Sequence, residues 1–122
     1  RVLRPGGIVG VCSPDFDGTL LAPSSPDVTN AINKYATLQK SNGGNLRIGK
    51  KLGDYLIAAG FCDVSLSARY ECYPSVDFIS EYLAKQLDLA RMPEHATSIR
   101  KWSNSPASMF AQCWVSATGM KS

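Results

Sequence analysis

The 122-residue sequence sets 13 Lys and Arg against 10 Asp and Glu, a formal charge of +3, with 44% hydrophobic and 9% aromatic residues. This is one domain at most, long enough to bury a modest core and too apolar to be disordered. Acidic and basic residues are interspersed, so charge points to no nucleic acid, and no apolar run approaches the roughly 18 residues that cross a bilayer.

Arg1 to Leu3 read as the last turn of a helix that would lie upstream, because the basic residues Arg1 and Arg4 suit a helix C-terminus and Pro5-Gly6-Gly7 forbids continuation. The lack of a signal-peptide core in RVLRPGG gives the expectation of a cytoplasmic chain, and the start at Arg1 the expectation of about half of a longer domain. Ile8-Val9-Gly10-Val11-Cys12 is continuously apolar, the pattern of a strand covered on both faces as in a parallel sheet. Ser13 to Gly18 then form a loop.

Ser25-Pro26-Asp27 is a helix start, with Ser25 as N-cap and Pro26 at the first helical position, and Val28, Ala31, Ile32, Tyr35 and Leu38 follow at helical spacing to a stop at Asn42-Gly43-Gly44. A second helix would carry Ile48, Leu52, Tyr55, Leu56 and Ala59 on one face, with Gly60 ending it. Val64 to Tyr73 alternate as a half-exposed strand with Val64, Leu66, Ala68, Tyr70 and Cys72 on one side. Ser75 caps a third helix with the stripe Val76, Ile79, Tyr82, Leu83 and Leu87. A fourth holds Met92, Ala96, Ile99 and Trp102. A last strand spans about 110 to 118. Three strands and about four helices make an α/β chain.

Cys12, Cys62, Cys72 and Cys113 are dispersed without a C-x-x-C pair, and three sit in apolar or alternating segments as buried thiols would, which favours a reduced compartment. His95 is the only histidine, so a multi-histidine metal site is impossible; it reads as a surface residue. No G-x-S-x-G elbow accompanies it, which argues against hydrolase chemistry. Tyr70, Tyr73, Phe78, Tyr82, Trp102, Phe110 and Trp114 can line a pocket or fill a core. Lys50 and Lys51 stand unfavourably near a helix start and read as an anion contact or a solvated face.

The turn Arg1-Val2-Leu3-Arg4-Pro5-Gly6-Gly7, leading into IVGVCSPD, resembles the C-terminal half of a class I S-adenosylmethionine-dependent methyltransferase acting on small molecules. The downstream helix IGKKLGDYLIAAGF, the strand DVSLSARYECY and the closing strand MFAQCWVSATGMK extend the resemblance over nearly the whole chain. It implies a single α/β domain over 1–122, a helical insertion at about 75–105, and a partial Rossmann-like sheet equivalent to the last three strands of that fold. The final strand would then lie antiparallel between the other two.

The resemblance also implies S-adenosylmethionine as methyl donor, yet the sequence has no glycine-rich strand-turn-helix such as G-x-G-x-G, so this chain alone would not bind the donor in the usual way. Ser13, Asp15, Phe16 and Asp17, just past the carboxyl end of the first strand, are the candidate contacts to a small-molecule acceptor. An Asx turn with solvated carboxylates accounts for the same residues. No catalytic residue and no metal ligand is assigned. Two other readings remain: a complete, shortened protein that binds a small ligand or forms a homodimer through the uncharged edge of IVGVC, and an unrelated α/β fold.

Overall fold

The computed structural model describes residues 2–122 and divides them into two compact units. One gathers the residues up to Thr19 with Leu46–Glu71 and Gln112–Ser122; the other comprises Leu20–Asn45 and Cys72–Ala111. The chain is α/β, with four strands and four α-helices among the described residues: β1 (Ile8–Pro14), β2 (Leu20–Ala22), α1 (Pro26–Ser41), α2 (Leu52–Ala58), β3 (Phe61–Cys72), α3 (Asp77–Leu89), α4 (Pro93–Ser103) and β4 (Met109–Lys121). Single 3-10 turns occupy Phe16–Gly18 and Gly49–Lys51. No helix among the described residues is long and apolar enough to cross a membrane.

In the first unit, β1 runs antiparallel to β4 from Ile8 opposite Met120 to Pro14 opposite Trp114, and β3 also pairs with β4. The closing strand therefore lies between the other two and antiparallel to both, as expected. The sheet is antiparallel throughout, which corrects the parallel setting anticipated for β1.

Coverage of β1 differs as well. Cys113, Val115, Ala117 and Gly119 alternate onto one face of β4, where a Cβ on Gly49 would stand 3.0 Å from Val115 and one on Gly119 would stand 3.5 Å from Leu56 and 3.0 Å from Phe61. The turn at Gly49–Lys51 and α2 thus cover that side. The register sends Ile8, Gly10 and Cys12 to the other side, where Ile8 is 71% exposed and Gly10 and Cys12 are exposed too. An apolar run marks a strand, but five consecutive β-branched or small residues do not by themselves reveal whether one face or two are covered.

The second helix is shorter than its expected span. Gly49 to Lys51 make a 3-10 turn and α2 follows, ending at Gly60 with φ +86°. Tyr55, assigned to the inner face, is about half exposed; the inner positions are instead Leu56, Gly49 and Gly53. A Cβ on Gly53 would stand 2.9 Å from Leu66, so the glycine is what lets α2 lie close to β3. Beyond Val64, β3 is exposed at every residue, and Leu66, Ala68, Tyr70 and Cys72 do not form the buried face that their alternation suggests. Asp63 has φ +49°, a left-handed residue within the strand. Of the helix end expected at residues 1–3, Arg1 lies outside the described residues and Val2 and Leu3 are not helical; Gly6, at φ +77°, turns the chain, and its N–H donates to Lys121 O at 2.8 Å.

In the second unit, Ser25 Oγ accepts from Val28 N at 3.3 Å and Pro26 opens α1, as the sequence requires. The cap of α3 falls one residue later than expected: Val76 is the N-cap and Ser75 Oγ accepts from Asp77 N at 3.3 Å. The helices α1, α3 and α4 pack through Val28, Ala31, Ile79, Leu83, Leu87, Ala96, Ile99 and Trp102, all buried, whereas Tyr82 is 47% exposed despite its place in the stripe. The buried phenol of Tyr35 titrates well above its ordinary value, first because burial penalises the phenolate and then because Tyr82 lies close.

Arg100 joins α4 to α3, donating from Nε and Nη2 to Glu81 at 3.0 Å each and from Nη1 to Asp88 at 2.9 Å. These partners hold Glu81 below the usual carboxylate range and raise Arg100 further. All three side chains are about 40% exposed, so the pair orients the helices while the apolar contacts supply most of the stability.

The short strand β2, absent from the sequence reading, pairs with β4 from Leu20 opposite Ala111 to Ala22 opposite Met109. Trp102 Nε1 donates to Ala22 O at 3.0 Å, so α4 fixes the end of that strand. Among the thiols only Cys113 is buried; Cys12 and Cys72 are exposed, and all four cysteines are free. Because Ile99 is fully buried among the helices of this unit, Ile99→Ala should cost about 2–5 kcal/mol, read as a lower urea midpoint with an unchanged slope.

Candidate functional site

The four residues singled out at the end of β1 are close in sequence but differ in setting. Ser13 is still within β1, opposite Val115. Asp15 N donates to Cys113 O at 2.9 Å, prolonging the ladder by one bond, and Asp15 then caps the 3-10 turn by accepting from Asp17 N at 3.0 Å through Oδ1. Its Oδ2 accepts from Lys50 N at 2.9 Å. Asp15 is 4% exposed, so the picture of two solvated carboxylates fails for this residue. A buried carboxylate needs such donors, since leaving them unmade would cost several kcal/mol, of the order set by desolvation.

Phe16 is half-buried and its N–H donates to Leu46 O at 2.8 Å. Asp17 is on the surface, where Oδ1 accepts from Arg47 Nε at 2.6 Å and Oδ2 accepts from Lys50 Nζ. Lys50 Nζ also lies 3.5 Å from Asp15 Oδ1, so one ammonium serves both acids. The hydrogen bond from Lys50, and after it the one from Arg47, holds Asp17 below the ordinary carboxylate range. Lys50 is raised in turn, chiefly by its bond to Asp17.

Two glycines make room for this arrangement. A Cβ at Gly49 would meet Asp15 Cβ at 2.9 Å and Pro14 O at 3.2 Å, and one at Gly18 would meet Cys113 Cβ at 2.7 Å. Tyr70 closes the turn by donating to Gly18 O at 2.8 Å. Beside it, the buried atoms Thr19 Oγ1 and Trp114 Nε1 have no hydrogen-bond partner among the described residues.

Arg47 and Lys50 were not singled out as part of this site. The signal was present in Lys50, a cation at the start of a helical segment, where the dipole disfavours it unless an anion answers. The paired acids at 15 and 17 are that anion. Of the seven aromatics, Phe110 and Trp102 are core residues, while Phe78, Tyr70 and Tyr82 are 73%, 55% and 47% exposed. Phe110 and Tyr73 meet as a tilted pair with centroids 5.8 Å apart.

His95 is partly buried on α4, with Nε2 3.7 Å from Glu94 Oε1. It lines a cleft of about 220 Å³ with Asp27 and Asn30, next to one of about 310 Å³ bordered by Ser24, Lys101 and Trp102. No group of three or more His, Cys, Asp or Glu among the described residues could hold a metal ion. No protein-family model and no curated protein matches the chain.

Gly49→Ala should destabilise the protein by about 1–3 kcal/mol, because backbone and Val115 hem the new methyl in, whereas Gly10→Ala, with nothing within 4 Å, should stay within about 0.5 kcal/mol of the parent. Thermal melts of the two variants read the difference.

Proposed function

We propose that this chain is the acceptor-side part of a class I S-adenosylmethionine-dependent methyltransferase that acts on a small molecule. The observation that carries the reading is the strand arrangement, β4 antiparallel between β1 and β3, with α2 leading through Gly60 directly into β3. The turn Arg4-Pro5-Gly6-Gly7 before β1 supports it.

On this reading the donor is held by residues beyond these 122, since no glycine-rich strand-turn-helix occurs among them. The sulfonium donor supplies the methyl group when bound. The work of this chain is to place the acceptor for in-line attack, which is chiefly a matter of position and of a base where the acceptor must lose a proton. Ser13, Phe16 and Asp17 line the acceptor's place, and the buried Asp15 is a positioning residue because its carboxylate is taken up by Asp17 N and Lys50.

Titration calorimetry with S-adenosylmethionine, on a 122-residue chain verified by intact mass, should give no saturable binding. The product of a longer reading frame carrying an upstream glycine-rich strand-turn-helix should bind the donor and transfer labelled methyl to a small acceptor. Tight donor binding by the 122 residues alone, or a longer product that takes no donor, would overturn the proposal.

A further inference from the structure

Arg47 and Lys50 both address the Asp17 carboxylate, one oxygen each: the guanidinium bonds Oδ1 at 2.6 Å and the ammonium bonds Oδ2. This is the geometry in which a guanidinium and an ammonium three residues apart would hold a free carboxylate. All three side chains are on the surface, at 58%, 50% and 46% exposure for Arg47, Lys50 and Asp17, so solvent and solutes reach the contact.

We propose that Arg47 and Lys50 form a carboxylate cradle at the end of β1, that Asp17 occupies it in the ligand-free chain, and that a small organic carboxylate takes its place. Three features make Asp17 displaceable. The turn does not depend on its carboxylate, because Asp15 binds Lys50 N and Asp17 N, Phe16 N binds Leu46 O, and Gly49 packs against Asp15. Exposed ion pairs contribute little, so the contact that is lost is a weak one. Lys50 stays poised without it, since its ammonium is 3.5 Å from the buried Asp15.

The charges agree with this. Asp15, Asp17, Arg47 and Lys50 sum to zero, and swinging Asp17 away leaves one net positive charge for an incoming anion. That the occupant is the methyl acceptor rests on the function proposed above, and it would make the acceptor a carboxylic acid; the cradle itself does not depend on that reading. The two fail separately, since anion binding is measured without a methyl donor.

The test is a titration of the isotope-labelled 122-residue chain with sodium acetate, and in parallel with inorganic phosphate, at low ionic strength, following the backbone amides of residues 47 to 51. Asp17→Ala should bind acetate about fivefold more tightly than the parent, as expected for freeing two exposed charge contacts. Asp17→Asn, which keeps the side chain's size while removing its charge, should gain in the same direction. Adding Arg47→Ala or Lys50→Ala to Asp17→Ala should abolish the gain. Equal acetate affinity in the parent and both Asp17 variants, a gain that survives loss of the two cations, or tighter binding of phosphate than of acetate by Asp17→Ala would each overturn the proposal.

Discussion

Every strand pairing among the described residues runs through β4. Each of the other three strands pairs with it: β1 along 114–120, β2 along 109–111, and β3 as well. A strand bonded on both sides has its backbone groups satisfied within the sheet. Within β4, Phe110, Ala111, Gln112 and Cys113 are buried in succession. The polar Gln112 among them makes a further interaction of its own. β1 and β3, at the margins, expose much of their surface.

Much of this was legible in the residues and some was not. The capping sequence Ser25-Pro26-Asp27 and the stripes of α1, α3 and α4 are local signals, and local hydrogen bonding and helical spacing realise them. The continuous apolar run is at Ile8–Cys12, but the residues buried in succession are Phe110–Cys113 of β4, because what covers a strand is a property of tertiary packing rather than of its own sequence. Leu66 and Tyr70 alternate as a buried face would, yet they are exposed, since alternation states only that two sides differ. β2 has three residues and exists through β4 and the bond from Trp102, 80 residues away in sequence. No periodicity can reveal a strand that short.

At the candidate site the residue types were readable and their roles were not. Asp15 and Asp17 are two residues apart and chemically identical, but one is buried under backbone donors and the other lies in water between two cations. What separates them is the approach of the Gly49–Lys51 turn, which a glycine permits and which brings Lys50 within reach of both. The outcome is a turn whose inner carboxylate fixes shape and whose outer one lies on the surface between two cations. On the function proposed above, that division of labour leaves the ligand contacts to Ser13, Phe16, Asp17 and the two cations, with Asp15 holding the turn.

The dependence on β4 is tested most directly by hydrogen exchange of the backbone amides. The account predicts that the amides of β4 at 110 to 119 exchange only through global unfolding, as the slowest in the protein, while alternate amides of β1, those turned away from β4, exchange many times faster. Uniformly slow exchange along β1, or β4 amides that exchange before those of the helices, would contradict it.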